Sequence, residues 1–315
     1  MRALVFDGEP RIVERPIPSP EPGEALVRLL CAGICNTDLE ILKGYIGFSG
    51  VLGHEFVGIV EEASSEHLRG KRVVGEINCT CHRCEYCALE MPRHCLNRSV
   101  IGILNRDGAF AEYIALPEEN LHVVPPVIRD NAAVFTEPLA AAFRILEQVN
   151  ITGEDRVIVL GDGKLGQLIA QVVGGVTRNL VCVGKHGWKL EMFQKLSVAT
   201  ALINDPMERG ADFVVEATGT NEGFASALEL VRPEGAVILK TTIARPAALD
   251  MSLPVINEVN IVGSRCGPFR PALEALSKMN VDVHRMVTET FELQDGLRAL
   301  RRASDPDAMK ILLHM

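Results

Sequence analysis

The 315-residue chain has one tryptophan and three tyrosines, no run of five like charges, and no apolar stretch of the ~18 residues that a membrane-spanning helix needs. Each absence excludes something. Without a basic stripe, and with a formal net charge of -9, the chain carries no footprint for nucleic acid. Without a block of like charge it has no sign of a disordered tail, and without an apolar span it has no membrane anchor, so the ligand to expect is small. The stretch MRALVFDGEPRIVERP meets charges and prolines within its first ten residues and does not read as an export signal, so a cytoplasmic protein is expected. Thiols stay reduced there, and nine cysteines then point to metal or catalysis rather than to disulfides.

The length allows two domains, and a hydrophobic content of 47% lets each bury its own core. Residues 1–138 read as short β-type runs broken by proline and glycine, among them HEFVGIVEE, KRVVGEI and AFAEYIALPEENLHVVP. That texture predicts an irregular, barrel-like β-rich domain. From Asp155 the pattern changes to continuous apolar runs (RVIVL, NLVCVG, DFVVEA, GAVILK) alternating with helical stretches (KLGQLIAQVV, WKLEMFQKL, GFASALELV). Apolar strands alternating with helices predict a doubly wound parallel sheet covered on both faces, making the fold class α/β. After Gly263 come one more helical stretch, PALEALSKM, and a short apolar segment, MKILLHM.

VIVLGDGKLGQLIA places Gly161, Gly163 and Gly166 directly after a predicted strand and at the opening of a helix, with Lys164 and Leu165 inside the loop. In this setting the three glycines serve a tight turn, close approach of the backbone to a pyrophosphate, and helix-on-strand packing, with the helix N-terminus facing the phosphates. Asp162 is out of place, because a carboxylate beside a pyrophosphate repels it unless it points away. At the end of the second predicted strand, where NAD-binding domains carry an acid, stands Gly184, followed by Lys185, His186 and Lys189. Cationic donors without a carboxylate favour NADP over NAD; the alternative is a solvated basic turn with no part in selectivity.

Two groups of residues suit metal ions. Cys81-x2-Cys84-x2-Cys87-x7-Cys95 offers four thiolates that saturate one tetrahedral zinc and leave no position for substrate, so this site is structural; Cys79 breaks the spacing and reads as a spare thiol. Elsewhere AGICNTD supplies Cys35, VLGHEFVG supplies His54 and Glu55, and FTEPLA supplies Glu137. A lone cysteine is more often a small hydrophobe and a lone histidine more often a satisfied core residue. Together they form the mixed S, N and O set of a catalytic zinc with a position left open.

The order GICNTD, GHE, four-cysteine lobe, GAFAEY, EPLA and GDGKLG resembles the zinc-dependent medium-chain dehydrogenase/reductase family over essentially the whole chain. The resemblance implies a GroES-like catalytic domain from residues 1–138 and 264–315, with a Rossmann cofactor domain, residues 139–263, inserted between. It implies Cys35 and His54 as ligands of the catalytic zinc, and Glu55 as a ligand that binds directly or exchanges with water. Glu137, as in the polyol and sugar dehydrogenase branch, is the third ligand, direct or through water. Thr37 then begins a proton relay, and Asp38 orients His54. Thr218 and Gly219 of EATGT (216–220), the stretch LKTTI (239–243), and Ser264 and Arg265 of GSRCG (263–267) fall where relatives line the cofactor. Asn36, Tyr45 and Phe48 lie near Cys35 in sequence and are candidate pocket residues.

The implied reaction interconverts a secondary alcohol, polyol or sugar hydroxyl with its carbonyl, using zinc as Lewis acid and NAD(P) as hydride carrier. Homodimers or homotetramers are expected. Two other readings stay open: a zinc-free quinone or enoyl reductase of the same superfamily, which does not need Cys35, His54, Glu55 and Glu137 together, and a non-catalytic nucleotide-binding protein.

Overall fold

In a computed structural model, which describes residues 1–241 and 251–315, the longest strand is Glu24–Gly33, EALVRLLCAG, and most of it is buried. It pairs antiparallel with Glu55–Glu62, setting Gly33 opposite Glu55, and with Lys310–His314, setting Gly33 opposite Leu312. Tyr113–Pro117 also pairs with it. With Arg72–Gly75, Leu121–Val123 and Val287–Glu292 these form a seven-stranded sheet, beside which Arg2–Phe6 joins Pro10–Glu14 and Gly50–Val51 in a three-stranded one. Strands far apart in sequence thus share one sheet, and Leu4, Leu29, Phe110, Phe135 and Leu312 are fully enclosed. Burying each such side chain contributes about 1.5–3 kcal/mol.

The described residues divide into two compact units, Met1–Glu137 with Phe269–Met315, and Pro138–Pro268. The second is built on six strands: β1 (Val157–Leu160), β2 (Leu180–Gly184), β3 (Ala199–Leu202), β4 (Ala211–Glu216), β5 (Val231–Leu239) and β6 (Asn260–Gly263). All are parallel, in the order 3-2-1-4-5-6. β1, VIVL, is buried at every position, as a strand covered on both faces must be. The winding reverses between β1 and β4, and in such sheets ligands bind beyond the strand ends at that reversal. The loop Gly161–Gly166 leaves β1 there and Ala217–Thr220 leaves β4.

The second junction between units falls at Phe269, beyond the residue 264 expected from sequence. The buried amine of Lys240, at the end of β5, donates to Ser264 Oγ, Arg265 O and Ala141 O, which fixes this stretch to the second unit. Of LKTTI, Thr242 and Ile243 lie outside the described residues. Among the described residues no helix is long and apolar enough to cross a membrane.

Candidate metal centres and cofactor loop

Where the strand Glu24–Gly33 ends, the chain turns into the short helix Asn36–Ile41, and Cys35 is the residue at its N-terminus. The Cys35 N–H donates to Asp38 Oδ2 at 2.8 Å, closing that turn over a fully buried carboxylate. The other oxygen, Asp38 Oδ1, stands 3.3 Å from His54 Nδ1, which leaves Nε2 for a metal. Glu55 opens the strand that pairs with Gly33, so the sheet register sets it beside Cys35 and His54. Ligand atoms of Cys35, His54 and Glu55 all lie within 4.8 Å of one another.

These residues fit a cation. Glu55 Oε1 is buried and has no hydrogen-bond partner, a costly state for a carboxylate oxygen unless a positive charge meets it. Burial pushes the His54 imidazole down, yet the Asp38 carboxylate and Cys35 outweigh it and hold the ring well above the usual histidine range. The pocket therefore favours positive charge. Thr37 Oγ1 is 3.7 Å from Cys35 Sγ. Glu137 is not one of the three converging donors; it sits half-buried in the first turn of the helix Thr136–Gln148. Asn36 is exposed, Tyr45 half-buried and Phe48 buried.

One residue of this centre was not anticipated from sequence. Lys310, in the strand Lys310–His314, donates its ammonium to Glu55 Oε2, and both side chains are 1% exposed. Burial pushes the lysine down, and the charge of Glu55 overrides that and holds it above its ordinary value. The pair needs Gly33: a Cβ there would lie 2.6 Å from Glu55 Oε2 and 3.3 Å from Lys310 Cδ. The available signal was a lysine alone inside the apolar run MKILLHM.

The four-cysteine lobe fits a closed metal site. Cys81 and Cys95 Sγ are 3.4 Å apart, Cys84 and Cys87 3.5 Å, and Cys84 and Cys95 3.7 Å. Four sulfurs at about 2.3 Å from one zinc would be about 3.8 Å apart, so little movement is required. The Arg83 backbone N–H and the Asn97 amide already favour thiolate at Cys81, bringing it down to about 5. Cys79 is outside the group, buried in the strand Asn78–Cys79 and pushed up to about 11 by that burial.

In the second unit Gly161 takes a left-handed φ of 123°, and a Cβ on Gly166 would collide with its carbonyl oxygen. Gly163 has nothing within 4 Å of a would-be Cβ, leaving room above the N-terminus of the helix Lys164–Gly174, where Lys164 and Leu165 are half-buried. A dinucleotide fits such a loop. Asp162 points away from it: its Oδ2 accepts the N–H groups of Lys185 and His186, each at 2.7 Å, and stands 3.0 Å from His186 Nδ1. Lys189 is buried, its ammonium 5.2 Å from the Trp188 ring. Two of the three cationic groups behind the NADP expectation are therefore engaged within the protein. Thr218 donates its N–H and hydroxyl to Glu216 Oε1 at 2.8 and 2.6 Å, and the Gly219 N–H donates to Thr241 Oγ1 at 2.9 Å. Ser264 and Arg265 are held by Lys240 as described.

Residues 21–126 match the alcohol dehydrogenase GroES-like domain. The chain is 27% identical to sorbitol dehydrogenase of Halalkalibacterium halodurans over 99% of both chains. It is 30% identical to L-threonine 3-dehydrogenase of Coxiella burnetii over 94% of both. A zinc-binding dehydrogenase of Sinorhizobium meliloti, solved with NADP, superimposes with a TM-score of 0.91 at 25% identity, covering 100% of this chain and 99% of the other. Identity of 30% sustained along 94% of two chains reflects common descent rather than shared architecture alone, and this chain belongs to the zinc-dependent medium-chain alcohol and polyol dehydrogenase family.

Proposed function

We propose that the chain interconverts a secondary alcohol, polyol or sugar hydroxyl with its carbonyl, at a zinc held by Cys35, His54 and Glu55 and with a nicotinamide dinucleotide on the loop Gly161–Gly166. The convergence of those three donors, with a buried and partnerless Glu55 Oε1 among them, carries the reading. The similar sorbitol and L-threonine 3-dehydrogenases support a hydroxyl flanked by other polar groups as the substrate class.

When bound, the zinc supplies Lewis acidity towards the alcohol oxygen and the nicotinamide ring accepts the hydride. The remaining tasks belong to the chain's own groups. Asp38 fixes the ring of His54 through Nδ1, and is itself fixed by the Cys35 N–H. Lys310 holds one oxygen of Glu55 and leaves the other for the metal. Thr37, beside Cys35 Sγ, takes the proton from the substrate hydroxyl and passes it outward. Glu137 joins the set through water in this reading. Cys81, Cys84, Cys87 and Cys95 hold a second, structural zinc.

A panel of alcohols, polyols and aldoses with each cofactor, read by the absorbance of reduced nicotinamide, tests the activity. The wild type is expected to hold about two zinc ions per chain. Cys35→Ala is expected to lose one of them and at least about a thousandfold in kcat/KM. Substantial turnover by that variant, or a metal-free wild type, would sink the assignment.

Self-association and location belong to the same reading. β6 ends the parallel sheet with an open edge among the described residues, and beside it in sequence the helix Ser252–Ile256 exposes Val255 and Ile256 at 73% and 74%. An open edge beside exposed apolar side chains suits pairing with a second copy. None of the nine cysteines, all among the described residues, forms a disulfide, as suits a reducing cytoplasm.

A further inference from the structure

In sheets of this type that bind NAD, an acid at the end of the second strand accepts hydrogen bonds from the adenosine ribose hydroxyls. Here that position is Gly184, and taken alone it suggests that the acid is missing. The structure supplies one from the neighbouring loop. A Cβ on Gly184 would lie 2.5 Å from both Cβ and Oδ2 of Asp162, so the glycine is the space into which the Asp162 carboxylate fits. Asp162 is buried, and three donors hold it: the Lys185 N–H, the His186 N–H and His186 Nδ1.

We propose that Asp162 is the cofactor-specificity residue of this chain and selects NAD over NADP; the proposal rests on the dehydrogenase reading above. Two backbone N–H groups and an imidazole at the end of β2 make the kind of anion pocket that a 2′-phosphate needs. The Asp162 carboxylate already fills it, and a phosphate dianion arriving there meets like charge and finds its donors taken. A ribose hydroxyl finds the reverse. Among the described residues Asp162 Oδ1 faces only His186 Nδ1, at 3.1 Å, and keeps lone pairs for a hydroxyl donor. Lys185 is the cation left over, and an exposed ammonium offsets little of that repulsion. The acid has changed its place in the sequence while keeping its place in the fold.

Calorimetric titration of the zinc-loaded wild type with NAD and NADP, and with 5′-AMP and 2′,5′-ADP as fragments with and without the 2′-phosphate, tests the proposal. The expected result is NAD at least about tenfold tighter than NADP, with 5′-AMP ahead of 2′,5′-ADP. Asp162→Ser empties the pocket and Asp162→Asn removes its charge while keeping its shape. Each is expected to tighten NADP and shift the NADP:NAD affinity ratio by about tenfold or more. Thermal melts establish that the variants are folded; if neither folds, the wild-type ratio decides alone. NADP binding as tight as NAD in the wild type, or an unchanged ratio in a folded variant, overturns the proposal and leaves the dehydrogenase reading standing. Failure to bind either dinucleotide overturns both.

Discussion

Lys310 and Glu55 are 255 residues apart in the chain and share one enclosed space beside Gly33. Removing one member of a buried ion pair strands the other without water or partner, at a cost of about 3–5 kcal/mol. In the metal-free protein Lys310→Met is therefore expected to destabilise the first unit by about that much in urea unfolding, while Lys310→Arg, which keeps the charge, loses less. Equal stability of wild type and Lys310→Met would show that Glu55 does not depend on the ammonium. At this scale, sequence reading reached what residue type reveals. Cys35, His54 and Glu55 stand out as donors of three kinds, and they lie together. It did not reach Lys310, because an apolar run shows that a strand is buried but not what lies across from it. Asp162 was visible as an anomaly, yet only the fold could show the direction of its carboxylate.

The lobe that carries Cys81, Cys84, Cys87 and Cys95 contains only the four-residue helix Glu85–Ala88 and the single turn Pro92–His94. Leu89 and Leu96 are 64% and 61% exposed, so no apolar core holds it together. Four thiols without an apolar core suit an element shaped by a bound metal. Cys84→Ser, or chelation of the structural zinc, is expected to open the lobe to limited proteolysis while the second unit stays resistant; a lobe equally resistant without metal would refute the structural role. A smaller effect belongs to the helix Asn221–Leu230, whose N-terminus is capped by Thr220 Oγ1 accepting the Gly223 N–H at 3.2 Å. Thr220→Ala is expected to cost about 1 kcal/mol in thermal unfolding. Elements of the second unit were legible because strands covered on both faces are continuously apolar. The partners of the first unit's strands were not, since alternating burial does not say which strand lies next to which.

For the whole molecule, the open edge of β6 carries the prediction. Ile256→Glu, which puts charge on the exposed apolar face beside it, is expected to shift the protein towards monomer in analytical ultracentrifugation without loss of fold. An unchanged sedimentation coefficient would place self-association elsewhere. The two-unit plan itself was readable from the change in texture between the broken β-type runs of residues 1–138 and the continuous apolar runs from Asp155. The second junction was displaced because Lys240, through two hydrogen bonds to Ser264 and Arg265, ties the residues after β6 to their own sheet, and a third to Ala141 holds it within the second unit. That bond set involves a buried amine that no hydrophobic pattern announces.

The pairing of Lys310–His314 with Glu24–Gly33 also sets an order of events during synthesis. The second unit is continuous in sequence, and all six of its strands have been made before Phe269 is added. It can close while the ribosome is still translating. The first unit cannot close so early, for a strand of its main sheet, and with it the lysine that holds Glu55, is made only after every strand of the second unit. Until then the earlier strands wait with that edge unpaired, which makes the nascent catalytic half, rather than the cofactor half, the part most in need of a chaperone.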